Sequence, residues 1–248
     1  MCLKWMNEMK KNFRILIFLL LPGSGVAAWY FYVGYKQHND LHYATRNNYP
    51  VQGIDISHHQ GRIDWVELEK EKFHFVFMKA TEGNSFTDPQ FANYLWKAKS
   101  TGHEVGAYHF FNFCRSGETQ ARHFIATVSR RHNILPILDL EFDMRNECGK
   151  KQKEVVREIN VFIKKIKKHY GRTPVLYMPV AFYKRYAAGN FKDCALWVRN
   201  VHGGPKLPGK RGWQFWQYAD RGKVKGIDGY VDLDAFNGNE KEFKNYMH

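Results

Sequence analysis

Residues 134–143, "ILPILDLEFD", decide how the rest of the chain is read. The stretch begins as a buried strand and then sets Asp139, Glu141 and Asp143 between Leu138, Leu140 and Phe142. Strand side chains alternate between two faces, so this spacing predicts three carboxyls on one face and the hydrophobes on the other. That pattern suits a strand that leaves an apolar core and ends at a polar pocket. It also suits a strand running out into solvent, and the flanking segments must decide.

Working outward, short apolar runs alternate with helical ones. "VQGIDIS" reads as the first strand, with "IDWVELEKEKF" as the helix behind it. "HFVFMKATEG" is the second strand, after which Asp88 and Pro89 suit the N-cap and first residue of the helix "PQFANYLWKAKSTG", closed by Gly102. "EVGAYHFF" is the third strand, and Ser116 caps "GETQARHFIATVSRRH". The opening stretch is the fourth. In the segment that follows, Val155, Val156, Ile159, Phe162, Ile163 and Ile166 keep helical spacing, which puts its many lysines on a solvated face. "TPVLYM", "CALWVRN", "GWQFWQY" and "GYVDLDAF" add four strands, the last three with little helix between them. Eight strands with helices concentrated in the first half predict an α/β fold, an irregular TIM-like β/α barrel.

Chemistry in such barrels gathers at the C-terminal ends of the strands. Those positions hold Asp55, Glu82, Tyr108 with His109, Asp139 with Glu141, Tyr177, Trp197, Gln217 and Asp232. Carboxyls crowded in a pocket suit glycosidic cleavage, because crowding keeps one of them protonated as an acid and aromatic rings can stack on sugar faces. Acids at strand ends equally suit metal binding, helix capping or ion pairing. A hydrolytic metal site would use His58 or His109 with the acids. Neighbouring His58 and His59 point to opposite faces of a strand and cannot easily share an ion, and there is no HExxH.

The 248 residues carry 38 Lys and Arg against 24 Asp and Glu, a net charge of +14. This favours an anionic neighbourhood: nucleic acid, a membrane surface or an acidic polymer such as bacterial cell wall. No zinc-ribbon spacing, phosphate loop or RNA-recognition signature is present, which argues against nucleic acid. Cys2, Cys114, Cys148 and Cys194 include no CxxC and imply no even disulfide framework. Lys10, Lys11 and Arg14 precede a run without charge over residues 15–35, long enough to span a bilayer. The expected organisation is a basic flank and uncleaved hydrophobic helix (1–35), a polar linker (36–50) and a catalytic domain (51–248) held outside the cytoplasm. Cleavage after residues 26–28 would instead secrete it.

"GIDISHHQGRIDW", "FMKATEG" followed by Asp88, "GAYHFF", "PILDLE", "PVLYM", "WQFWQY" and "GYVDLDAF" occur in that order. Together, over about residues 51–240, they strongly resemble glycoside hydrolase family 25, the lysozymes that act as N-acetylmuramidases. The resemblance implies a flattened, incomplete β/α barrel that cuts the β-1,4 bond between N-acetylmuramic acid and N-acetylglucosamine in peptidoglycan. It implies Glu141 as general acid, Asp139 as its partner, and Asp55 and Asp232 completing an acidic ring. Tyr108, Tyr177, Trp197 and Gln217 would contact sugar and N-acetyl groups, with His109 and Glu82 beside them. No metal or organic cofactor is expected, and the chain is expected to work as a monomer. Asp234 departs from the family, whose members often carry Asn there; the extra negative charge near the pocket is expected to shift the acid's pKa or change a substrate contact, and it removes no catalytic group. A barrel that binds wall without cutting it is the rival from another class, and the metal-dependent hydrolase is the third.

Alternate residues on one strand lie about 6.5–7 Å apart with side chains emerging in the same direction. Asp139 and Glu141 in that relation suit a substrate-assisted reaction, with Asp139 steadying the 2-acetamido group, better than a displacement from opposite faces of the ring.

Overall fold

The structure is a computed structural model that describes residues 47–142 and 148–248. The expected hydrophobic helix and nearly all of the linker lie outside the described residues, as does Asp143. Among the described residues, no helix is long and apolar enough to cross a membrane.

Nine strands form one sheet: β1 (Gln52–Ile56), β2 (Phe75–Glu82), β3 (Phe86–Thr87), β4 (Glu104–Phe110), β5 (Leu135–Asp139), β6 (Val175–Pro179), β7 (Leu196–Arg199), β8 (Phe215–Gly222) and β9 (Val231–Phe236). Their order is β1-β9-β8-β7-β6-β5-β4-β2-β3, with β1 also bonded to β2. That last pairing closes an eight-stranded ring, so the expected incomplete barrel is corrected to a closed one. The eighth seam is real backbone pairing, with Gly53 opposite Phe75 and Asp55 opposite Phe77. The two-residue β3 hangs outside the ring on β2 and was not foreseen, being too short to carry a period.

Within the ring, strand direction is mixed at one place. β9 runs antiparallel to both β8 and β1, whereas β1, β2 and β4–β8 are mutually parallel. The start of β9 therefore lies at the same barrel end as the finish of the other strands.

The helices α1 (Trp65–Glu69), α2 (Phe91–Ser100), α3 (Gly117–Thr127) and α4 (Gln152–Tyr170) follow β1, β3, β4 and β5. The α1 helix is shorter than expected. The α2 helix starts at Phe91, later than Asp88 and Pro89 suggested. Asp88 instead uses Oδ1 to accept from the Gln90 N–H (2.9 Å) and Oδ2 to hold the His58 backbone N–H (3.0 Å). Ser116 caps α3 as expected, and Gly171 ends α4 in the left-handed conformation. The two helices meet at Gly117, where an added Cβ would stand 1.9 Å from the Glu158 carbonyl oxygen. Only glycine permits that approach.

The barrel interior is packed. Phe75, Phe77, Leu135, Ile137, Val175, Trp197, Phe215 and Phe236 belong to one buried cluster, and α5 (Glu240–Met247) closes its base with Phe243 and Met247. A Cβ on Gly53 would fall 2.3 Å from the Phe75 ring, so that glycine makes room for the aromatic filling.

Candidate active site

The period of two that fills the barrel also builds its mouth. On β2, Phe75 and Phe77 point inward, and Lys79 follows them in phase; on β5, Leu135 and Ile137 lead to Asp139. Above the aromatic layer lies a cavity of about 310 Å³, whose lining includes Asp55, Lys79, Tyr108, Asp139, Glu141, Tyr177, Trp197, Gln217 and Asp232. Glu141 lies just past the end of β5 and is partly exposed, while Asp139 is buried. The Leu140 N–H to the Tyr177 carbonyl (2.9 Å) carries the β5–β6 pairing one residue beyond the strand.

Hydrogen bonds wire the wall together. Tyr177 donates its hydroxyl to Gln217 Oε1 (2.9 Å), and Gln217 Nε2 donates to Asp55 Oδ2 (2.8 Å). Trp197 Nε1 donates to Asp234 Oδ1 (2.8 Å). Rings support this layer: Tyr177 meets Trp197 edge-on at 4.4 Å between centroids, and Trp197 meets Phe77 at 5.0 Å.

Taking this many carboxyls out of water favours their neutral forms. Burial, opposed by the Gln217 hydrogen bond, pushes Asp55 up to about 7. Burial, with the Asp55 charge adding to it, pushes Asp232 up to about 8. Asp139 is driven well above the usual carboxylate range, first by burial and then by Glu141; Lys79 pulls the other way. Among the described residues, one Asp139 oxygen, Oδ1, is buried without a hydrogen-bond partner. The site thus holds protons at neutral pH and can give one to a leaving group.

Eight of the ten residues expected at the site come together around this cavity. His109 does not, which corrects its placement. It is next to Tyr108, so when Tyr108 faces the cavity His109 must face out; its ring is fully buried between Thr81 Oγ1 (2.7 Å) and Gln120 Oε1 (3.2 Å) and stacks on Phe162. Burial lowers its pKa to about 3. Glu82 is displaced by a break in the β2–β4 register between Lys79 and Thr81. It accepts from Lys79 Nζ (2.6 Å) and reaches the site through that lysine. The histidines of the metal alternative are also apart, since His58 Nδ1 is 2.7 Å from Asp88 Oδ2. Among the described residues, no group of three or more His, Cys, Asp or Glu is placed to hold a metal ion.

Two contributors, Lys79 and Arg199, escaped the sequence reading, and a third, Asp234, was read only as an added charge. Lys79 lies between the rings of Phe86 and Phe110, at 5.4 and 5.0 Å; its phase with Phe75 and Phe77 was the available signal. Asp234 shares the phase of Asp232; the sequence marks it as an extra negative charge near the pocket, and its partners there are what the structure adds. Arg199, two residues past Trp197, pairs with Asp220 at 2.6 Å and acts electrostatically on Asp55 and Asp232.

A family model described as glycosyl hydrolases family 25 matches residues 54–227. The fold is similar to that of a family 25 glycosyl hydrolase from Bacillus anthracis, at 41% identity and a TM-score of 0.76, covering 81% of this chain and 94% of the other. It is also similar to a bacterial lysozyme from Streptomyces coelicolor, at 30% identity and a TM-score of 0.71, covering 77% and 94%. Among curated proteins, lysozyme M1 of Streptomyces globisporus is 34% identical over 203 residues, 76% of this chain and 68% of that protein.

Proposed function

The chain belongs to glycosyl hydrolases family 25 and is a glycoside hydrolase; from that premise we propose that it hydrolyses the β-1,4 bond between N-acetylmuramic acid and N-acetylglucosamine in peptidoglycan. The observation that carries the reading is the convergence of Asp55, Asp139, Glu141 and Asp232 on one cavity walled by Tyr108, Tyr177 and Trp197. Proton-holding carboxyls face the same space as aromatic edges, which is the pairing a sugar polymer requires.

Glu141 is the general acid. It is the more exposed of the Asp139–Glu141 pair and stands at the cavity opening, where a glycosidic oxygen can reach it. As it gives its proton to that oxygen, the C1–O bond breaks and the acetamido carbonyl oxygen of the same sugar closes on C1. Asp139 accepts the acetamido N–H, and its ionised form, which the Lys79 charge favours, offsets the positive charge of the resulting ring. Water then opens the ring, returning its proton to Glu141 and leaving a reducing N-acetylmuramic acid with retained configuration. Asp55 and Asp232 line the opposite wall and hold the polar groups of the sugar.

The basic flank ahead of residues 15–35 supports a catalytic body exported and held at the membrane. Cell fractionation with protease accessibility tests that placement.

The test of function incubates the purified full-length protein and Glu141→Gln with peptidoglycan in the presence of a chelator. Fragments with reducing N-acetylmuramic acid ends from the parent alone are expected. Binding without fragments would make this a wall-binding barrel. Activity lost to the chelator and restored by a divalent ion would make it a metal-dependent hydrolase. An inverted product, or an ester trapped on either carboxylate, would overturn substrate assistance.

A further inference from the structure

Asp234 is fully buried on β9, opposite Gly53 of β1 and Gln217 of β8. Its Oδ1 accepts the Trp197 indole N–H, but Oδ2 is buried with no N–H or O–H donor to serve it. An ionised carboxylate in that position would leave a desolvated anionic oxygen unpaired, among the costliest arrangements a protein interior can hold. What Asp234 does meet, at hydrogen-bonding contact, is the carboxyl of Asp55. Two carboxylates have only acceptors and cannot bond; one proton between them turns the contact into a hydrogen bond.

The surroundings say which of the two holds it. Asp55 lines the cavity and already accepts from Gln217 Nε2, whose amide is turned by the Tyr177 hydroxyl bonded to its other end. Those donors favour an anion on Asp55. Among the described residues, the groups that act most strongly on Asp234 include no cation. Facing it are Asp55 from β1, Asp232 on its own strand, Trp197 from β7 and Gln217 from β8. Arg199 works on Asp55 and Asp232 from the rim while paired with Asp220, and Lys79 serves Glu82 and Asp139. Glu141, across the cavity, adds further negative charge felt by Asp55 and Asp232.

We propose that Asp234 is held as the neutral acid and donates its Oδ2–H to the Asp55 carboxylate, acting as a positioning residue that orients Asp55 toward the cavity. Trp197, Asp234, Asp55, Gln217 and Tyr177 then form one continuous hydrogen-bonded chain through five strands. Burial, and the charges of Asp55 and Asp232, push the Asp234 carboxyl well above its usual range. The catalytic consequence rests on the muramidase reading, but the protonation state does not.

The experiment labels aspartate carboxyl carbons with 13C in the full chain and follows them by NMR from about pH 4 to about pH 9. The resonance lost in Asp234→Asn is expected to hold its protonated position at pH 7. Titration of that resonance as an ordinary carboxylate near pH 4 would overturn the proposal. If Asp234→Asn fails to fold, Trp197→Phe identifies the same resonance by perturbing its Oδ1 partner. In kinetics, Asp234→Asn keeps a donor and is expected to keep kcat/KM within a few fold and stay active at alkaline pH where the parent declines. Asp234→Val removes the donor and is expected to lose about 100-fold in kcat. Equal losses from Asn and Val would refute a donor role. A chain inactive on every glycan, with the resonance still protonated, would sink the muramidase reading alone.

Discussion

Asp55 and Asp232 stand directly opposite each other across the antiparallel β1–β9 pair, two carboxyls sharing one face of the barrel mouth. Like charges in that relation are normally destabilising, and here burial adds to the penalty. Both groups bind protons more tightly folded than unfolded, at about 7 and about 8 against an ordinary 3.8. Below about pH 4 both states are protonated and this contribution is whole. As pH rises toward 8 the unfolded chain releases its protons first, so stability is lost. For Asp55 alone the change is about 4 kcal/mol at 1.36 kcal/mol per unit, and less per group when the two are counted together. Thermal unfolding across that range should show Tm falling with pH. The slope should flatten in Asp55→Asn, which should also gain stability at pH 8 while losing activity.

Glu141→Gln keeps the shape of the side chain and removes its transferable proton. A loss of 100- to 10,000-fold in kcat is expected, about the range for a positioned acid. KM should change little and unfolding not at all, because Glu141 stands at the partly exposed rim. Steady-state rates on a soluble glycan fragment check this.

Lys79 opposes the upward push on Asp139. Replacing it in Lys79→Met should move the pH–rate limb belonging to the Asp139–Glu141 pair toward higher pH. A limb that stays in place would mean that the Lys79 charge is already spent on Glu82.

His109→Leu should separate structure from chemistry. It leaves Thr81 and Gln120 without their ring partner, and stability should fall by about 1–3 kcal/mol. The kcat and KM of the folded fraction should match the parent. A selective loss of kcat would return His109 to the site.

Gly53→Ala drives a methyl to within 2.3 Å of the Phe75 ring. Overpacking of about 1–3 kcal/mol is expected, read as a lower midpoint in denaturant.

What the sequence disclosed and what it withheld divide along one physical line. Elements marked by long periodic runs were legible: α4 carries its apolar stripe over residues 152–170, and the expected strands are present, although β5 stops at Asp139, short of Glu141, and β8 runs on to Gly222, past Gln217. The carboxyl ring was legible for the same reason, since period two assigns a face. Closure of the ring was not, because it depends on register between β1 and β2, which no single segment encodes. Facing was also missed where neighbours were taken together. Tyr108 and His109 cannot both enter one cavity, and the irregularity after Lys79 moved Glu82 away. Asp234 was legible as an extra charge near the pocket, but its pairing with Asp55 was not, because Asp55 lies at the other end of the domain.

The reversed course of β9 has a further effect on the acids it delivers. In a repeating strand–helix barrel each strand leads to a helix whose first turn presents positive peptide ends at the mouth, a steady attraction for anions. Here the mouth beside Asp232 and Asp234 is bounded by the β8–β9 hairpin over residues 223–230, and only the short turn Pro208–Lys210 intervenes between β7 and β8. That sector therefore lacks the peptide ends of a helix N-terminus, and the charge acting on its acids comes from a side chain, Arg199. A reversal of one strand is enough to turn a region that would gather anions into one that stores hydrogen ions at the cavity wall.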